Sequence, residues 1–225
     1  MRSPRSSRPT RIVTYDKRGH GLSESGPDKN DMADYARDLM GLLDEVGVGR
    51  ATIVGLSIGG VIAQELYRQR PEYVAALVLC DTAAKIGTNE SWDQRIAQVE
   101  RGGIESIADS VLERWFTADF RSRRSAELAG MRAMLTRTPR QGYLAACGAS
   151  KRADLRPYAG RIEAPTLCVV GDQDGSTPVA LVKETASLIP GSRFEIIEGA
   201  GHLPNVERPE VVAKLLVEHA RRAAS

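Results

Sequence analysis

Two apolar runs constrain this chain more than anything else in it. Val74-Ala75-Ala76-Leu77-Val78-Leu79-Cys80 and Thr166-Leu167-Cys168-Val169-Val170 show no alternation of apolar and polar residues. A strand with that pattern is buried on both faces, as in a parallel sheet with helices on each side. Thr52-Ile53-Val54 and residues 193–197 read as further strands, and Ile12-Val13-Thr14-Tyr15 as another. Between these runs the apolar residues recur at helical spacing. Met32, Tyr35, Leu39, Leu42, Leu43 and Val46 share a face that Gly47 ends, and Ile62, Ala63, Leu66 and Tyr67 mark a helix over 59–70. Similar patterns cover 178–189 and 209–222. Strand and helix in alternation predict the α/β class, with a mostly parallel sheet flanked by helices.

One stretch breaks the rhythm. From 83 to 160 no strand-like run occurs, and amphipathic helices are expected over 92–99, 104–116, 126–135 and 141–149. A helical insert in an α/β chain is most simply a cap over the sheet's active edge. The expected organisation is a core of 11–82 and 161–225, a helical cap of 83–160, and a disordered tail of 1–10. That tail carries Arg2, Arg5 and Arg8 with no acid, and has no apolar stretch of a secretory signal. A net charge of +2 over 225 residues gives no footprint for nucleic acid or a membrane surface as partner. Cys80, Cys147 and Cys168 are odd in number and widely spaced, which fits reduced thiols, a cytoplasmic protein and no metal site. Cys80 and Cys168 read as core residues.

The strand at 52–54 leads into Gly55-Leu56-Ser57-Ile58-Gly59 and then a helix. In that context Gly-x-Ser-x-Gly is a nucleophile elbow, a tight turn with strained backbone that needs small neighbours and lifts the serine above the sheet. A nucleophilic serine needs a base. The chain has three histidines. His219, in EHARR, reads as a surface residue, and His20 lies in a loop before the nucleophile. His202, in GAGHLP after the last strand, fits the chain order serine, acid, histidine. The acid has three candidates. Asp172 and Asp174 lie in GDQDGSTP after the strand at 166–170, where Asp174 is better placed to face the histidine loop and Asp172 to bond local amides. Asp81, at the end of the strand after the nucleophile helix, is the alternative acid. Either would hold the His202 tautomer and stabilise its imidazolium.

These residues carry a resemblance. YDKRGHGLS (15–23), VGLSIGGVIAQEL (54–66), DTAAKIGT (81–88), WDQRIAQV, LERWFTADF, VVGDQDGSTPVALV (169–182) and FEIIEGAGHLPNVERPE (194–210) resemble 3-oxoadipate enol-lactonases of the α/β-hydrolase superfamily. The likeness runs from about residue 11 to the C-terminus. GDQDGSTP and GAGHLP are common to related esterases and cofactor-free haloperoxidases, whereas TAAKIGT followed by the tryptophan-bearing segments tilts the resemblance to the lactonases. The resemblance implies a cofactor-independent serine hydrolase that opens 3-oxoadipate enol-lactone to 3-oxoadipate in aromatic catabolism. A general carboxylesterase or a haloperoxidase-like perhydrolase is the alternative, and an inactive truncated homologue a second. The expected partner is a small lactone or ester carrying a carboxylate. Lys85 in TAAKIG is the expected cation for that group, against a solvated surface lysine, with Arg95 and Arg114 as weaker candidates. Trp115 is expected to form a pocket wall, or else cap core.

The oxyanion of a tetrahedral intermediate needs two backbone donors. Ile58 N–H is one. The family places the second on a loop after an earlier strand, and only MRSPRSSRPT precedes the segment at 11–15. The expectation is therefore a core lacking its N-terminal strands and the second donor. An incomplete version of a normal enzyme is the favoured explanation, and a genuinely short protein that is inactive or borrows a strand is the other.

Overall fold

The structure is a computed structural model that describes residues 11–26 and 29–223. Its core is a four-stranded sheet of β1 (Ala51–Leu56), β2 (Val74–Cys80), β3 (Thr166–Gly171) and β4 (Arg193–Ile197), in that order and parallel throughout. Register follows from the pairs Gly55–Leu79 and Leu79–Cys168. The helices α1 (Met32–Glu45) and α2 (Ile58–Gln69) flank β1 in sequence. The stretch between β2 and β3, expected as a cap, is helical and holds α3 (Asn89–Gly102), α4 (Glu105–Trp115), α5 (Ala118–Arg123), α6 (Ser125–Thr136), α7 (Arg140–Arg152) and α8 (Arg156–Ala159). Then α9 (Val179–Leu188) crosses to β4, and α10 (Pro204–Glu207) and α11 (Pro209–Ala223) end the chain.

The continuous apolar runs fold as their pattern demands. Leu77, Leu79, Cys168 and Val170 pack toward α1, α2 and α9, with Tyr35, Leu66 and Val182. Val78, Cys80, Leu167 and Val169 point the other way, toward Val212 of α11. Cys80 and Cys168 are core residues as expected, and Cys147 is a buried free thiol as well. Capping residues set the helix starts. Asp31 closes a capping box with Asp34 at α1, and Thr88 does so with Ser91 at α3.

Two expectations change. Residues 12–15 form no strand, and Ile12 is 82 % exposed. β-propensity describes fit to a paired, half-buried surface, and this run has no strand beside it among the described residues. The loop that follows it is anchored to the helices instead. Arg18 binds Asp38 of α1 and Asn30, and Gly19 packs against Gly142 of α7. His219 is not a surface residue: it is buried, with Nε2 3.2 Å from Pro165 O. It continues the face of α11 that carries Val212, at i+7, and the neighbouring charges of EHARR mask that spacing. The Arg-rich tail of 1–10 lies outside the described residues.

Candidate active site

β1 ends at Leu56 and α2 begins at Ile58, so Ser57 alone makes the turn between them. Its backbone sits at φ 54° and ψ −122°, a conformation that costs an L-residue on the order of 1–3 kcal/mol. Hydrogen bonds hold it there. Ser57 N–H donates to Cys80 O at 3.0 Å, and Ser57 O accepts from Gly60 N at 2.9 Å and from Thr82 Oγ1 at 2.6 Å. The strand approaches the helix so closely that a Cβ on Gly55 would stand 2.2 Å from Gly59 O. Gly59 has no such constraint, since a Cβ there meets nothing within 4 Å. The position that must stay small on the helix side is Gly60, against Thr82. The Ser57 side chain makes no capping bond to α2. Ile58 N–H is the first donor of α2 and has no intrahelical acceptor, so it offers a positive dipole end beside the serine.

Two loops at the same edge of the sheet, those after β3 and β4, meet one another. His202 Nδ1 lies 2.9 Å from Asp174 Oδ2, and both side chains are buried. Thr177 Oγ1 donates to Asp174 Oδ2 at 2.6 Å, and the N–H groups of Ser176 and Thr177 donate to Oδ1 at 2.7 and 3.0 Å. Burial alone would raise the Asp174 carboxyl. The hydrogen bond and charge of His202 and the bonds from Thr177 outweigh it and hold the group below its ordinary value. A carboxylate so held fixes Nδ1 as a protonated ring nitrogen and leaves Nε2 outside that bond. Asp172 does not bond amides of its own turn as expected. Its Oδ1 accepts from Ala200 N at 3.1 Å and so ties the acid loop to the histidine loop.

Asp81 lies at the end of β2 with φ 47°, and it too is buried. Asp81, Asp174 and His202 bring one polar atom each within 4.8 Å of one another. It is Asp174, not Asp81, that bonds the histidine ring. Both Asp174 oxygens already carry their hydrogen bonds, so the cluster fits an acid–base network rather than a cation cage.

The cap reaches this edge through the end of α4. His202 N–H donates to Trp115 O at 2.9 Å and Gly175 N–H to Arg114 O at 3.2 Å. Buried Glu207 accepts from Thr117 Oγ1 at 2.6 Å and from Gly201 N–H at 2.6 Å. The Trp115 ring stacks near His202, centroids 6.4 Å apart. Lys85 is directed elsewhere: its Nζ donates to Lys151 O at 2.9 Å, at the C-terminal end of α7. Arg95 and Arg114 lie near one another and near Tyr143, and Lys17 and Arg95 lie near Cys147. None of the three forms an ion pair among the described residues. Burial pushes the Lys17 ammonium down to about 7. Two cavities of about 410 and 420 Å³ lie apart from Ser57, one against Tyr67, Arg68 and Tyr158, the other against Asp16, Arg18 and Asp38.

Comparison with known proteins decides the family. The model of the alpha/beta hydrolase family matches residues 2–215. The chain is an α/β hydrolase. It is 35 % identical over 201 residues to 3-oxoadipate enol-lactonase 2 of Acinetobacter baylyi, covering 88 % of this chain and 74 % of that protein. The crystal structure of the enol-lactonase from Burkholderia xenovorans LB400 superposes with a TM-score of 0.88 at 36 % identity, covering 91 % of this chain and 78 % of that one. A thermophilic esterase from Thermogutta terrifontis with malate bound gives a TM-score of 0.87 at 32 % identity, over 93 % of this chain and 79 % of that one. The resemblance to enol-lactonases and the α/β-hydrolase fold thus stand on sequence and structure together. No strand of the described residues precedes β1, so the loop expected to carry a second oxyanion donor is not among them.

Sequence reasoning missed two groups in this hydrolase. Glu207 sits in NVERPE, where nothing marks an acid that will be buried against the cap. Lys17 lies inside the quoted YDKRGHG motif, but only the contact of its loop with α7 reveals how buried it is.

Proposed function

We propose that this hydrolase opens 3-oxoadipate enol-lactone to 3-oxoadipate by serine catalysis in the cytoplasm. The buried Asp174–His202 pair, at the same edge as a strained Ser57 turn, carries the reading. In it, His202 Nε2 takes the Ser57 proton as Oγ attacks the lactone carbonyl. Ile58 N–H receives the developing oxyanion. Collapse breaks the ring C–O bond, and His202 returns the proton to the enolate oxygen, which tautomerises to the ketone. A water deprotonated by His202 then cleaves the acyl-enzyme and regenerates Ser57. Trp115, beside His202, supplies an apolar wall. The guanidinium groups of Arg95 and Arg114 support a substrate with a free carboxylate, whereas Lys85 is bonded to Lys151 O.

Loss of enol-lactone absorbance on adding the protein tests the assignment. Ser57→Ala is expected to lower the rate by roughly 10⁴–10⁶-fold. A protein that turns over neutral aryl esters but not the lactone is a general carboxylesterase, the reading favoured by the likeness to the Thermogutta esterase. Retained activity in Ser57→Ala would remove the serine from the mechanism. Labelling of Ser57 by a fluorophosphonate probe would dispose of the inactive homologue.

A further inference from the structure

Asp81 is a buried acid that the proposed mechanism does not use. Its Oδ1 accepts from Gly171 N–H at 2.9 Å, and this bond ties the ends of β2 and β3 together. Its Oδ2 is buried with no hydrogen-bond donor to satisfy it. The groups that face it are Asp174 from the β3–α9 loop, His202 from the β4–α10 loop, Glu207 from α10, and the thiol of Cys80. One of them, Asp174, is a second carboxylate whose own oxygens are already bonded to His202, Thr177 and Ser176. An ionised Asp81 would place a second buried negative charge against Asp174 with nothing donating to it. A protonated Asp81 converts the orphan oxygen into a donor.

We propose that Asp81 is a positioning residue that stays protonated at neutral pH and donates a hydrogen bond from Oδ2 to the Asp174 carboxylate, holding it toward His202 Nδ1. Two carboxyl groups then share one proton, and Asp174 keeps the charge because its other partners are all donors. Burial pushes the Asp81 carboxyl up to about 9 against the Gly171 bond, and the Asp174 charge adds to the rise. The positioning role rests on the reading of Asp174 and His202 as an acid–base pair, whereas the protonation does not.

The test therefore has two arms. Infrared difference spectra of the full chain at neutral pH are expected to show a protonated-carboxyl band that Asp81→Asn lacks. The melting temperature of the parent is expected to fall as pH rises from the ordinary aspartate range to about 9. Over that window the folded state keeps a proton that the unfolded state has released, so stability drops with pH. Asp81→Asn, whose amide donates without titrating, flattens that slope. Absence of the band, an unchanged slope, or stoichiometric zinc binding that requires Asp81 would overturn the protonation. In the second arm Asp81→Ala is expected to lower kcat about tenfold, with KM little changed. Asp81→Asn restores kcat and removes the alkaline limb of its pH profile. A variant Asp81→Asn as impaired as Asp81→Ala would overturn the positioning role. If the parent has no turnover, the proposed function fails, and the spectrum and the melting slope still decide the protonation.

Discussion

The two flanks of the nucleophile turn are finished differently. On the β2–β4 side, strands bury both faces and the loops beyond them are tied to one another and to the cap. Asp172 bonds Ala200, Glu207 bonds Thr117 and Gly201, and His202 bonds the end of α4. On the β1 side, the strand is an edge of the described sheet. Val54 is half exposed, and residues 12–15 run past without pairing. The lesson is that Asp174 and His202 are positioned by a network spanning three loops and a helix end. The serine, by contrast, is positioned by its own turn, with Cys80 O and Thr82 bracing it from β2.

The comparison breaks first at the centre of the sheet. Leu79 is fully buried between Gly55 of β1 and Cys168 of β3. Leu79→Ala is expected to cost about 2–5 kcal/mol, because the lost contacts leave a cavity that a four-stranded core closes poorly. Chemical denaturation with an unchanged slope would measure it. A cost under about 1 kcal/mol would mean that the centre is no better packed than the edge.

Glu207 tests the braced side next. Replacing it by Gln keeps one acceptor oxygen and swaps the other for an amide that donates toward Thr117 or Gly201. One buried donor then loses its acceptor, at about 1–3 kcal/mol. The melting point should fall by roughly 2–4 °C for each kcal/mol lost. Because Glu207 anchors the His202 loop and not the substrate, kcat is expected to drop with KM little changed. A loss in KM alone would place Glu207 against the ligand instead.

What the sequence made legible follows the same divide. Continuous apolar runs specify strands buried on both faces, so β2 and β3 could be read from Val74–Cys80 and the run at Thr166 without any other information. The turn at Ser57 and the pairing of Asp174 with His202 were readable because each residue lies at or in the loop after a strand. Residues 12–15 were misread, since a β-rich run becomes a strand only where a partner pairs with it. His219 was misread because charged neighbours hid a buried face. The short helices α5, α8 and α10 offer too few residues for a helical period to emerge. Pairing between loops, as with Asp172 to Ala200 or Asp81 toward Asp174, depends on separations of 28 residues or more that no local pattern encodes.

The smallest expected effect is the one most able to sharpen the contrast. Val54 alternates with Ile53 on β1, and where Ile53 enters the core Val54 is 50 % exposed. Val54→Thr keeps the branched Cβ and its preference for strand, and exchanges one methyl for a hydroxyl that water can solvate. With only half the side chain removed from water, the apolar loss is about 0.5 kcal/mol or less. A melting curve superposable on that of the parent is the expected result. A cost approaching that of Leu79→Ala would mean that this face of β1 is covered in solution, because a hydroxyl is expensive only where it is buried without a partner. The same measurement at tenfold dilution then separates the sources. A cost that shrinks on dilution comes from a second copy of the chain on the edge, and one that does not comes from a segment of the same chain.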